Sequence, residues 1–265
     1  MRAKDLQLLD LLKFQPDSGI IRLLDQRVLI MDSLALGLLH KELVDSMGVN
    51  VARAILSRFG YAHGWRTAES LKRNWPDLIY SDSNTGPHLH TIQGVFTHLE
   101  LERTTDSKGN PIIHSSWKDS YEVEQHKLHF GDFEEPVCWT ITAFASGYVS
   151  SRMGQEMLFI EKECCAQGAE ACKVEGRLRE HWGDEYEDQL CYYNPGTIDI
   201  LLPEVSKKLK KLEHTLEQKK QQIAELDISK SYTRLCAKSS AMRKLIDLAH
   251  RISQVDTSVV ISGES

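Results

Sequence analysis

No stretch of this sequence approaches the roughly 18 consecutive apolar residues that would mark a membrane-spanning helix. The N-terminus, MRAKDLQLLDLLKF, carries polar residues throughout and has no small-residue cleavage site, so it does not read as a signal peptide. Basic charge is not in excess either. The net charge of -6 and pI near 6.0 leave no global nucleic-acid footprint, although they do not exclude a local basic patch. No Cys-x-x-Cys pair occurs, which removes the standard zinc-finger spacing. Together these absences predict a cytoplasmic chain without a membrane partner. Thiols stay reduced there, so clustered cysteines point to metal binding or catalysis rather than to a disulfide framework. The 265 residues suffice for one large domain or two modest ones, and 41% apolar against 26% charged residues is a globular balance.

The first 192 residues read as a mixed helix and antiparallel-sheet domain, an α+β class. A short N-terminal helix gives way to a turn at Pro16, Asp17 and Gly19, and Ile20 to Leu23 begin a strand. Residues 28–47 have helical periodicity and end at Gly48, a plausible C-cap. A second helix runs over residues 50–75, with Gly60 and Gly64 expected to interrupt it for close packing or a bend. Residues 95–102 alternate with period two, DSKGNP is a turn, and IIHSSWKDSYEV is the returning strand of a hairpin. CWTITAFASGYVSSRMG reads as a buried helix ending near Gly154, followed by strands in EMLFIEKEC and CKVEGRL.

The texture changes after residue 192. Leu202, Val205, Leu209, Leu212, Leu216, Ile223 and Leu226 follow a 3-4 spacing broken at Lys219, with Lys, Glu and Gln between them. That narrow stripe predicts a coiled-coil linker over residues 193–230 and a homodimer. In residues 231–265, SSAMRKLIDLAHRI is expected to be a helix capped by Ser239 or Ser240, and TSVVISGES a buried strand. The strand enters Gly-Glu-Ser as a phosphate-binding loop would, but the Gly-Lys-[Ser/Thr] that such a loop needs is missing.

Three of the six cysteines fall in the nine residues from Cys164 to Cys172. Zinc takes about four ligands and favours thiolate. Cys164 and Cys172 flank Gly168, Glu161 stands three residues before Cys164, and Cys138 opens the preceding helix. These four would form a closed, structural shell. Spacing alone leaves Cys165 competing with Cys164 and Glu163 competing with Glu161. It also leaves buried free cysteines as an equal reading. Cys191 and Cys236 have no partner in view.

Several stretches together resemble a known family: GPHLHTIQG, SSWKDSYEVE, EPVCWTITAFASGY, RMGQEMLFIEKECCAQGAEACKVEG and the closing SSAMRKLIDLAHRISQVDTSVVISGES. FQPDSGIIRLLDQRVLIM and GVNVARAILSRFGYAHG extend the likeness to the N-terminus. They are similar to the sensory half of aromatic-responsive, sigma-54-dependent activators of the NtrC class, the phenol- and xylene-type regulators. The resemblance implies structural zinc on Cys138, Glu161, Cys164 and Cys172, and it selects Glu161 over Glu163 and Cys164 over Cys165. It implies a vinyl-reductase-like part at roughly residues 85–190 with a zinc lobe at residues 138–175. The chain would then be sensor, linker and the first strand of an AAA+ ATPase. Sigma-54 RNA polymerase and enhancer DNA would be reached only through domains outside it, and the chain would not be an enzyme.

The resemblance also assigns His90 and Trp117 to the hydroxyl of a phenol. A neutral His offers one donor and one acceptor, and the indole N–H is a donor only, so the pair can satisfy both roles of that hydroxyl. Candidate walls are Phe144, Tyr148 and Phe159, with Phe96 and Ile92 beside them. His88, His98 and His114 are decoys. Ser83 and Ser115 stand where relatives carry phenylalanine, which widens the pocket or makes it more polar and leaves the effector open between phenol and a larger or substituted phenol. The expected function is a ligand-gated sensor that relieves repression of a downstream ATPase and so controls aromatic catabolism. The alternatives are a zinc-stabilised dimerisation module without a small-molecule ligand and a zinc enzyme acting on a small aromatic.

Overall fold

The computed structural model describes residues 7–81, 84–194 and 238–256, together with residues 258–260 and 262–263 and isolated positions between 211 and 223. The chain divides into two compact units, Met1–Ser206 and Lys207–Ser265. No helix among the described residues is long and apolar enough to cross a membrane.

The first unit opens with a one-turn helix, α1 (Leu8–Leu11), that runs into a three-stranded antiparallel sheet. Its strands are β1 (Leu12–Gln15), β2 (Ile20–Leu23) and β3 (Gln26–Val28). The sequence reading missed β1 and β3, whose few residues carry too little pattern to separate them from turns. Helix α2 (Ser33–Met47) starts five residues later than its periodicity suggests. Asp32 sets that start by accepting the Ala35 amide at 2.8 Å. Gly48 ends the helix with φ of 82°, a conformation that favours glycine.

Helix α3 (Val49–Asn74) runs without a break through Gly60 and Gly64, against the expectation that they interrupt it. Their role is the close packing that was the other half of that expectation. A Cβ at Gly60 would collide with the carbonyl oxygen of Thr140, and one at Gly64 with that of Phe144. Both partners lie on α7 (Trp139–Met153), whose own Gly147 faces the carbonyl of Tyr61 in the same way. Backbone therefore touches backbone at three points along the crossing. Two short helices, α4 (Pro76–Ser81) and α5 (Thr85–Ile92), follow α3.

The main sheet is antiparallel with strand order β4-β5-β7-β6. Its strands are β4 (Thr97–Thr105), β5 (Pro111–Lys118), β6 (Met157–Glu163) and β7 (Cys172–Leu178). Asp106 closes the β4–β5 turn by accepting the amides of Lys108 and Asn110 at 2.8 and 2.9 Å. The period-two pattern of β4 is broken by a bulge: His98 pairs with Trp117 but Glu100 pairs with Ser116, leaving Leu99 over and 44% exposed. The returning strand is shorter than expected. It stops at Lys118, and residues 121–123 belong to a helix, α6 (Tyr121–Phe130). Ser120 breaks the strand because its side chain accepts the Val123 amide and caps that helix.

The core lies between the inner face of this sheet and α7, where Phe96, Trp117, Ile141, Phe159 and Val174 pack together. The other face of β6 is covered too, since Leu158 and Ile160 pack on Trp182 and Leu190. Leu190 ends the short helix α8 (Glu187–Leu190).

In the second unit, Ser240–Ile252 form the expected helix, with Ser239 accepting the Met242 amide at 3.2 Å. The strand expected in TSVVISGES is absent among its described residues, and Val260 is 91% exposed. A lone apolar run has no ladder to join unless other strands lie beside it. The expected coiled-coil seam from Leu202 to Leu226 lies outside the described residues apart from isolated positions, as do Ser83 and Cys236.

Candidate functional site

One cavity lies between α5, α7 and the inner face of the main sheet, and it gathers residues that stand far apart in the chain. His90 comes from α5, Phe96 from the turn after it, Trp117 from β5, Phe144 and Tyr148 from α7 and Phe159 from β6. Ile92 does not line it; that side chain packs with Leu78, Leu89 and their neighbours. The decoys His88, His98 and His114 stay outside as well, whereas Ser115 is in the lining.

The walls are aromatic and interlocked. The Phe96 and Trp117 rings stack at 5.1 Å, the His90 ring stands edge-on to Phe144 at 4.1 Å, and Phe144 stacks with Tyr148 at 6.1 Å. Gly176, opposite Phe159 across the β6–β7 pair, leaves room for that ring; a Cβ there would come within 2.5–2.7 Å of it. The Phe159 backbone is held on both sides. Its amide donates to Ser146 Oγ at 2.8 Å, and its carbonyl accepts the Tyr193 hydroxyl at 2.9 Å. The cavity volume is about 60 Å³, several times what a single water needs.

Four buried polar atoms on this lining have no protein partner: His90 Nδ1 and Nε2, Trp117 Nε1 and the Tyr148 hydroxyl. Native cores leave few such atoms, because each costs about 1–3 kcal/mol. Burial, aided by nearby His63, lowers the His90 pKa to about 3, so the ring is neutral and presents one donor and one acceptor. Burial likewise pushes the Tyr148 phenol upward and keeps it protonated. The site therefore offers uncharged hydrogen-bonding groups set in aromatic walls. That chemistry suits a small aromatic molecule with a polar substituent.

A second cluster lies beside the cavity. Cys138, Glu161, Cys164 and Cys172 are all buried, with one ligand atom from each within 4.8 Å of the others. The sulfurs of Cys138 and Cys172 are 3.8 Å apart, as are those of Cys172 and Cys164. This cluster could hold a metal ion. Cys138 stands at the start of α7, and its amide donates to Glu161 Oε2 at 3.0 Å. Glu161 Oε1 is buried without a partner. Cys164 and Cys172 close the β6–β7 hairpin around a turn in which Gly168 adopts φ of 90°. Burial pushes the Cys138 thiol and the Glu161 carboxyl up, while the Cys138 and Cys172 thiols hold Cys164 down. Four acidic groups in a dry site cannot all ionise unless a cation joins them.

A bulge separates the two competing glutamates. Glu161 pairs with Val174, but Glu163 pairs with Lys173, so Lys162 is the extra residue. Val174 is in the core and Lys173 is exposed. Directly paired residues share a face of the sheet, so Glu161 points inward and Glu163 outward, where it forms a 2.8 Å ion pair with Lys173. Cys165 is outside the cluster, although its amide donates to Cys172 Sγ at 3.4 Å.

Sequence reasoning missed Glu122. This buried carboxylate accepts the amides of Thr140 and Ile141 at 2.9 and 3.0 Å and so anchors the N-terminus of α7. Burial raises its pKa to about 7. The signal was a Glu following a capping Ser, but its target lies on another helix.

Residues 7–106 match the family described as "Activator of aromatic catabolism", and residues 114–178 match the vinyl-reductase-type domain family. The crystal structure of the phenol-responsive sensory domain of the transcription activator PoxR, determined with phenol, is similar to this chain. The match covers 73% of this chain and 96% of that one, at 34% identity and a TM-score of 0.62. The chain belongs to the family of aromatic-responsive activator sensory domains. This sensory domain is also 31% identical to the phenol regulator MopR of Acinetobacter guillouiae over 99% of its own length and 46% of that protein. It is 29% identical to the transcriptional regulatory protein XylR of Pseudomonas putida, over 89% of its length and 42% of that protein. The sensory domain thus spans about half the length of the curated relatives it matches.

Proposed function

We propose that this chain is the effector-sensing region of a transcription activator and that its cavity binds a phenol-type aromatic. The observation that carries the reading is the set of four unpartnered polar atoms on an otherwise aromatic lining. A phenol hydroxyl donates to the acceptor nitrogen of neutral His90 and accepts from Trp117 Nε1–H, with Tyr148 as a further hydroxyl partner. Phe96, Phe144 and Phe159 enclose the ring. Calorimetry with phenol and benzene tests this. Phenol binds, and His90→Ala weakens it by about 5- to 150-fold, the equivalent of one lost buried partner. The reading fails if no phenol gives heat, or if His90→Ala leaves the affinity unchanged.

The metal cluster is read as structural zinc on Cys138, Glu161, Cys164 and Cys172. Two sulfurs on a tetrahedral zinc at about 2.3 Å are separated by about 3.8 Å, which is the spacing of both sulfur pairs. Zinc bound there ties the start of α7 to the β6–β7 hairpin. Three thiolates and one carboxylate leave no open coordination position, which argues against a zinc enzyme. In the full-length protein, effector binding relieves repression of an AAA+ ATPase that acts on sigma-54 RNA polymerase at enhancer DNA, in the cytoplasm and as a homodimer. An effector can do this only by binding one of two states more tightly. We keep the boundaries 1–192 for the sensor, 193–230 for a coiled-coil linker and 231–265 for the start of the ATPase.

A further inference from the structure

The cavity is polar at two places, and the phenol reading uses only one of them. Along α7 the lining residues are Ile141, Phe144, Ala145, Tyr148, Val149 and Arg152, a stripe at helical spacing that ends on a cation. Arg103, on the inner face of β4, lines the same cavity. No Asp or Glu does. In a chain of net charge -6, this lining holds two guanidinium groups and no carboxylate.

Arg152 is half-buried, and no acidic side chain pairs with it among the described residues. Glu156, the next acid along the chain, forms its ion pair with Arg179 at 3.7 Å, and Glu69, which bonds Ser151, pairs with Lys72 at 2.8 Å. The position of Arg152 in the last turn of α7 accounts for some of its stability through the helix dipole. It does not account for a guanidinium lining an aromatic cavity.

The spacing sets the size of what could bridge the two ends. His90 packs on Phe144, and Arg152 lies eight residues further along α7, about 12 Å of helix axis. Helical side chains lean back toward the N-terminus, so the guanidinium reaches into that gap and leaves the span of one substituted ring. His90 is neutral and can neutralise no anion, whereas Arg152 stays charged at any working pH.

We propose that the effector is a phenol that carries a carboxylate, with its hydroxyl at His90 and Trp117 and its carboxylate at Arg152. This rests on the reading of the cavity as a phenol site. Arg103 adds positive potential at the same end, and the Ser115 hydroxyl keeps that part of the wall from being wholly apolar. The half-buried setting of Arg152 matters because a carboxylate there keeps part of its hydration and meets a planar, bidentate donor.

The test is calorimetry on the intact chain with phenol and 4-hydroxybenzoate, reading the ratio of their affinities in the wild type, Arg152→Gln and Arg152→Lys. The wild type is expected to favour 4-hydroxybenzoate, with a ratio that falls about tenfold in Arg152→Gln and recovers in part in Arg152→Lys. Each variant's melting temperature shows that it is folded. If phenol binds and 4-hydroxybenzoate binds more weakly in the wild type, this inference is overturned while the phenol reading stands. An unchanged ratio in Arg152→Gln overturns it too. If neither compound binds, both readings fall together.

Discussion

His90 shows how burial sets the chemistry of a single residue. Held at a pKa of about 3 against an ordinary 6.5, its ring stays neutral through the whole physiological range. Phenol affinity should therefore stay flat from pH 5 to pH 8 as far as this residue is concerned. Titration by calorimetry across that range checks it, and an affinity midpoint near 6.5 would contradict a neutral, buried His90. The same shift carries a sign for stability. Between about pH 3 and 6.5 the unfolded chain takes up a proton on His90 that the folded chain refuses. Stability from this group is complete above about 6.5 and declines as the pH falls toward 3. Urea midpoints measured at pH 7 and pH 5 should fall in that order, and His90→Ala should shrink the difference.

The crossing of α3 and α7 decides where the cavity wall stands. Gly64 meets the Phe144 carbonyl and the Tyr148 amide, the backbone of two wall residues. Gly64→Ala places a methyl group against main chain that cannot rotate away, so α7 must shift as a body. The expected cost is about 1–3 kcal/mol of stability, read from a urea denaturation midpoint, together with weaker effector binding. A midpoint equal to that of the wild type would mean that the crossing is looser than the glycines require. The bulge at Lys162 works at the same scale. It lets β6 send Phe159 and Glu161 inward and then turn Glu163 to solvent, so one strand serves both the cavity and the metal cluster.

Across the whole molecule, the metal cluster joins three elements that sequence keeps apart: the start of α7, the end of β6 and the start of β7. Chelation should lower the melting temperature by several degrees, and zinc should restore it. Cys172→Ser should lose bound metal, whereas Cys165→Ser should keep it, since only the former has its sulfur in the cluster. Metal content by mass spectrometry separates the two. Equal metal in both variants would remove Cys172 from the shell.

Much of the fold could be read from the sequence because its signals are local. Helical periodicity marked α2, α3 and α7, turn residues marked the β4–β5 hairpin, and thiol density marked the metal cluster. The resemblance to aromatic-responsive activators singled out His90 and Trp117 by matching motifs. Other features depend on contacts between distant segments. Spacing left Glu161 and Glu163 equivalent until a bulge, defined only by the partner strand, turned them to opposite faces. Gly60 and Gly64 looked like breaks within α3 because the helix that needs their missing side chains lies some eighty residues on. Arg152 carried no motif and resembled an ordinary basic residue ending a helix. Its place in the cavity exists only because α7, α5 and the main sheet close around one space, and that closure belongs to the tertiary structure.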